Sequence, residues 1–120
     1  VQFSLKTKIS TAKYQQTRQF YETVFSMIVA EEWNDPGDVG VILSLPEGRQ
    51  EAFLEVYLVE QETTFEGLSL QFRVDSLSEF QASLPEDVGF DGPTVRPWGS
   101  KYLYLSDPND IQIIVYEGGL

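Results

Sequence analysis

Residues 3–9, FSLKTKI, return as residues 68–74, LSLQFRV, with Ser4 against Ser69, Leu5 against Leu70 and Ile9 against Val74, each 65 positions apart. A segment that recurs at about half the length of a 120-residue chain points to two copies of one supersecondary unit. Whatever follows the first copy should therefore have a counterpart after the second.

Both copies alternate apolar with polar residues, the period of a half-buried strand. In the first, Gln2 to Ile9, the side chains of Phe3, Leu5 and Ile9 share one face and those of Ser4, Lys6 and Lys8 the other. Ser10 or Thr11 is placed to cap a helix, and Tyr14, Tyr21, Val24, Phe25 and Ile28 recur near helical spacing, which predicts a helix to about Phe25. Met27 to Trp33 reads as a strand ending in the turn signal Asn34-Asp35-Pro36-Gly37-Asp38. Strands from Val39 to Leu45 and from Ala52 to Val59 flank a turn at Pro46-Glu47-Gly48, and Glu60 to Glu66 is a polar link.

The second half follows the same order. After the strand Leu68 to Val74, Ser76 and Glu79 have the spacing of a capping box for a helix that runs to about Leu84, before Pro85. Val88 to Val95 is the next strand, broken by Asp91-Gly92-Pro93. Lys101 to Leu105 and Ile111 to Tyr116 form a hairpin around Asp107-Pro108-Asn109-Asp110, where proline pre-sets one dihedral and the Asp and Asn side chains can bond the local backbone. The chain is therefore read as α+β, two β-α-β-β-β modules over about 1–60 and 66–120 in a single domain.

Composition narrows the chemistry. There is no cysteine, hence no disulfide and no thiolate, and no histidine, the commonest general base near neutral pH and the commonest transition-metal ligand. Eight basic against nineteen acidic residues give a net charge of −11, which repels phosphate backbones and anionic lipid surfaces, so neither nucleic acid nor membrane is an expected partner. With nothing resembling a signal peptide or a spanning helix, the expected location is the cytoplasm.

Pro97-Trp98-Gly99, the aromatic strand with Tyr102 and Tyr104, Asp107-Pro108 before a short turn, and a closing strand ending in Glu117 together resemble the end of a vicinal-oxygen-chelate domain. This is the superfamily of glyoxalase I, extradiol dioxygenases and bleomycin-resistance proteins, and the Phe20-Tyr21 pair also sits where its members carry one. The resemblance implies an eight-stranded, partly open cup facing a small ligand. In the enzymes, a divalent metal is held by His, Glu or Gln from the first and last strands of each module. Carried over, those positions are Ser4 or Lys6, then Glu55, Ser69 and Ile114, so Glu55 alone matches. Glu117 comes three residues too late and on the other face of its strand, and neither metal nor other cofactor is expected.

What remains is binding. The resemblance to bleomycin-resistance proteins, which lack the metal ligands and sequester a cationic drug in the grooves of a dimer, implies a metal-independent homodimer that binds a cationic or aromatic small molecule. The expected ligand-binding residues are Trp33, Glu55, Tyr57, Phe72, Trp98, Tyr102 and Tyr104, since aromatic rings offer large contact area with polar edges. The alternative for each ring is a place in the core. Two other functions stay open: an enzyme, metal-free or with an atypical metal site, in which Glu55 acts as a base beside Tyr57, Tyr102 or Tyr104, and a non-catalytic dimerising or regulatory module. Glu55 can instead pair with a neighbour such as Arg73 or Arg96.

Overall fold

Eight strands and two helices appear in the computed structural model, which describes residues 1–47 and 52–119. The first half contains β1 (Leu5–Thr11), α1 (Tyr14–Val24), β2 (Ile28–Asp35), β3 (Asp38–Ser44) and β4 (Ala52–Leu58). The second contains β5 (Ser69–Arg73), α2 (Leu77–Ser83), β6 (Asp91–Val95), β7 (Lys101–Ser106) and β8 (Gln112–Glu117). The chain divides into two compact units between Thr63 and Thr64.

The repeat seen in the sequence is a repeat of topology. One sheet has the order β1-β4-β3-β2 and the other β5-β8-β7-β6. In both, the strand before the helix lies parallel to the last strand of its module, and the other pairings are antiparallel. A parallel neighbour requires a long crossover, here the helix and the next two strands.

In the first unit, Ile9, Val41, Leu43, Leu54 and Val56 are buried on one face of the sheet, and α1 brings Tyr14, Tyr21 and Val24 to the core. Stacking of Tyr21 on Phe25, with centroids 6.1 Å apart, extends this cluster past the helix end. In the second, Leu103, Leu105, Ile113 and Val115 form the equivalent apolar face, and the shorter α2 buries Leu77. Each such side chain, fully buried, contributes about 1.5–3 kcal/mol of transfer free energy. Among the described residues, the opposite face of each sheet carries no helix of its own unit.

Several boundaries differ from the sequence reading. The first strand starts at Leu5, its first residue with a described partner (Leu5↔Ala52), and Phe3 stays 91% exposed outside it. The strand also continues through Ser10 and Thr11, so neither caps α1. Lys13 holds the N-cap position without a side-chain cap, and the Thr11 hydroxyl accepts a bond from the Lys13 N–H at 2.9 Å. Ile28 opens β2 and is exposed rather than joining the helix face. Asp91-Gly92-Pro93 lies inside β6 instead of interrupting a longer strand. This is an edge strand, where proline costs no ladder bond to a second neighbour, and its register shifts between Asp91 and Thr94 in a bulge. Gly92 permits the bulge: at φ +102 its backbone approaches Tyr102 so closely that a Cβ would stand 2.8 Å from the Tyr102 carbonyl oxygen.

Local turn chemistry matches expectation. Pro36 and Gly37, with Gly37 at φ +75, close the β2–β3 hairpin. Ser76 Oγ accepts from the Glu79 N–H at 3.2 Å and caps α2. Buried Asp107 accepts from the N–H groups of Asn109 at 2.7 Å and Ile111 at 3.0 Å, fixing the β7–β8 turn. The expected turn at Pro46-Glu47-Gly48 runs into residues 48–51, which lie outside the described residues.

Candidate functional site

The helix-free face of the first sheet is read directly from its register. Lys8 lies beside Glu55 and Ser10 beside Tyr57 across the parallel pair, while Tyr57 faces Gly40 and Gly40 faces Trp33. Partnered residues point to the same side of a sheet, so Lys6, Lys8, Glu55, Tyr57, Gly40 and Trp33 share this face.

Glu55 is 7% exposed, and a buried carboxylate needs partners. It has two: Lys6 Nζ at 3.1 Å from one oxygen and Lys8 Nζ at 3.6 Å from the other. The Lys8 ammonium also lies 4.3 Å from the centre of the Tyr57 ring, a cation–π arrangement. The Asp38 carboxylate is the main reason the Tyr57 phenol is pushed above its ordinary range. Asp38 Oδ1 accepts in turn from Trp33 Nε1 at 2.9 Å. The indole lies so close over Gly40 that a Cβ there would overlap the ring. Polar and aromatic side chains of all four strands, from Lys6 on β1 to Trp33 on β2, thus gather on this face.

The metal centre that the resemblance implies does not fit these donors. Lys6 places an ammonium where a ligand should be, and both oxygens of Glu55 are turned to ammonium groups. Ser69 gives its hydroxyl proton to Gln112 Oε1 at 2.7 Å, and Ile114 has no donor atom. Among the described residues no three His, Cys, Asp or Glu side chains gather as a metal site would require. The partners of Glu55 come from its parallel neighbour strand, not from Arg73 or Arg96. Arg73 Nε donates to the Gly118 carbonyl at 2.9 Å, and Arg96 is occupied elsewhere in the second unit.

On the helix-free face of the second sheet, Tyr102 pairs with Tyr116 and Tyr104 with Ile114. The rings of Tyr102 and Tyr116 stack with centroids 5.8 Å apart. Arg96 Nη2 donates to the Tyr104 hydroxyl at 2.8 Å, and the Arg96 guanidinium lies 5.3 Å from the centre of the Tyr102 ring. Asp91 is the β6 partner of Tyr104, so its carboxylate is on the same face. Beside it an open groove of ≈ 490 Å³ is lined by Gly89, Phe90, Asp91, Tyr104, Leu105, Ser106 and Gln112.

The seven residues singled out in the sequence thus fall into separate places. Trp33, Glu55 and Tyr57 come together in the first unit, and Tyr102 and Tyr104 in the second. Phe72 pairs with Val115, itself the partner of Leu103, which puts it on the opposite, apolar face from the two tyrosines. Trp98 is 69% exposed in the turn between β6 and β7. Lys8, Asp38, Arg96 and Asp91 belong to the two faces, and Phe90 to the groove, but they were not legible as site residues. Asp38 reads as turn chemistry alone, and Lys8 shows only as the polar half of an alternation.

No family model matches the chain, and no curated protein matches it in sequence. Solved structures do. TnmS3, an antibiotic-binding protein from Streptomyces sp. CB03234, is similar at TM-score 0.74 and 19% identity, over 99% of this chain and 98% of that one. A glyoxalase / bleomycin resistance protein from Catenulispora acidiphila is similar at TM-score 0.75 and 11% identity, over 98% and 100%. A lactoylglutathione lyase from Agrobacterium tumefaciens is similar at TM-score 0.70 and 17% identity, over 95% and 92%. With two β-α-β-β-β modules in the same strand order and this likeness along nearly the whole chain, the protein has the vicinal-oxygen-chelate fold of glyoxalases and bleomycin-resistance proteins.

Proposed function

We propose that this is a metal-independent small-molecule-binding protein that takes an aromatic or cationic ligand on its helix-free sheet faces. The observation that carries the reading is the pairing of Glu55, the sole retained ligand-type residue of the fold's metal centre, with Lys6 and Lys8. A carboxylate committed to two ammonium groups is a poor anchor for a divalent ion, whose affinity rests on several oxygen ligands. Both oxygens face ammonium groups, which counts against a Glu55 base. Tyr57, Tyr102 and Tyr104 then remain as contact surface on those faces, with Trp33 beside Tyr57. Antibiotic binding by a protein of similar fold supports a small-molecule ligand, and a net charge of −11 favours capture of a cation.

The protein acts in this reading as a homodimer. Among the described residues the edge of β1 opposite β4 has no strand partner in its sheet, and Phe3 and Leu5 expose apolar surface beside it, both suited to a second copy of the chain.

A thermal-shift series tests the function. Bleomycin-type glycopeptides and small aromatic cations should raise the melting temperature, since a ligand that binds only the folded state stabilises it by mass action. Divalent metals at micromolar concentration should not. The reverse pattern would return a metal-dependent enzyme to first place.

A further inference from the structure

The groove beside β6 and β7 has a composition of its own. Of its seven lining residues only Asp91 is charged. Phe90, 40% exposed, and Tyr104 supply aromatic surface, while Ser106 and Gln112 add polar atoms. Among the described residues no cation pairs with Asp91. Arg96, on this face, is committed to the Tyr104 hydroxyl and the Tyr102 ring and is not part of the lining. The bulge at Gly92 gives this end of β6 its own register, so that Asp91 stands directly across from Tyr104. A carboxylate without a counter-ion, held beside two aromatic rings in an open groove, has a complement: a flat ring bearing a positive charge.

We infer that this groove, wholly within the second unit, is a binding site for an aryl-bearing organic cation, its ring against Phe90 and Tyr104 and its charged nitrogen at Asp91. The inference rests on the small-molecule-binding reading and narrows it to one place and one ligand class. The face with Lys6 and Lys8 is not the cation site, because its carboxylate is already neutralised.

The test uses benzamidine as the cationic probe, with benzamide as its neutral and benzoate as its anionic counterpart, on the full chain. Titration followed by amide NMR should show benzamidine shifting the signals of Gly89 to Asp91 and Tyr104 to Ser106, with benzamide and benzoate binding at least about tenfold more weakly. Asp91→Asn and Phe90→Ala, both at exposed positions, should keep the fold by circular dichroism and each weaken benzamidine binding, the first by about tenfold. Unchanged affinity in Asp91→Asn, or shifts confined to residues around Glu55 and Tyr57, would overturn the groove and leave the small-molecule reading standing. If benzamidine fails to bind while the wider ligand series stabilises the protein, the groove falls alone. If neither binds, both readings fall.

Discussion

Asp38, the first residue of β3, holds the phenol of Tyr57 on the neighbouring β4 in its protonated form. The phenolate would sit against that carboxylate, and Glu55 adds to the repulsion, so the proton is held above the ordinary tyrosine value of about 10. Between that value and the raised one, the folded protein keeps a proton that the unfolded chain has lost. The stabilisation is therefore complete below about pH 10 and disappears as pH rises through the folded value.

Absorbance titration near 295 nm should accordingly show one tyrosine that ionises late. Tyr57→Phe should remove that component, and Asp38→Asn should return it towards the ordinary range and flatten the alkaline loss of stability attached to it. Superimposable wild-type and Asp38→Asn curves would refute the link.

The two lysines around Glu55 predict a second, larger effect. Their side chains are about half exposed, 48% and 50%, so the attraction itself is partly screened. The carboxylate is not exposed, and stripping its partners leaves a buried charge unmet. Lys6→Met with Lys8→Met should lower stability by about 1–3 kcal/mol in urea unfolding. Adding Glu55→Met should recover most of the loss, because exchanging a buried ionic cluster for apolar side chains is often close to neutral. A triple variant no more stable than the double would show that the lysines act through their packing alone.

Gly40 is where Trp33 lies down on the sheet. Gly40→Ala should lift the indole away, break its 2.9 Å bond to Asp38 and shift tryptophan emission to longer wavelength, with about 1–3 kcal/mol lost to overpacking. Emission unchanged from the wild type would mean that the ring is not held there in solution.

What the sequence revealed was local. Pro36-Gly37, the Ser76 cap and the Asp107 turn each depend on a few adjacent residues, and each folds as read. The repeat was legible because both modules keep the same alternation in their first strands. Partners set by strand order were not. Nothing in the residues around Glu55 says that β1 will be its parallel neighbour, and so Lys6 and Lys8 were not foreseen. Phe72 belongs to a clean alternation, but which half of it faces the apolar core depends on pairing with Val115. The end of β1 was misplaced for the same reason: the pairing of Thr11 with Leu58 extends the strand over residues that resemble helix caps. The groove at Asp91 was hidden because Asp-Gly-Pro has the chemistry of a turn, and only the edge position of β6 and the bulge turn it into a strand with a free carboxylate.

The strand orders carry a consequence for how the protein is made. Among the described residues every strand pairing of the first sheet lies between Leu5 and Leu58, and every pairing of the second between Ser69 and Glu117. A nascent chain synthesised from its N-terminus therefore holds the complete hydrogen-bonding set of the first sheet before any strand of the second leaves the ribosome. Within each sheet the parallel pair closes last, since β1 waits for β4 and β5 for β8, and until then the first strand shows its edge to its surroundings. In each half, the moment most open to mispairing falls just before the module's final strand emerges.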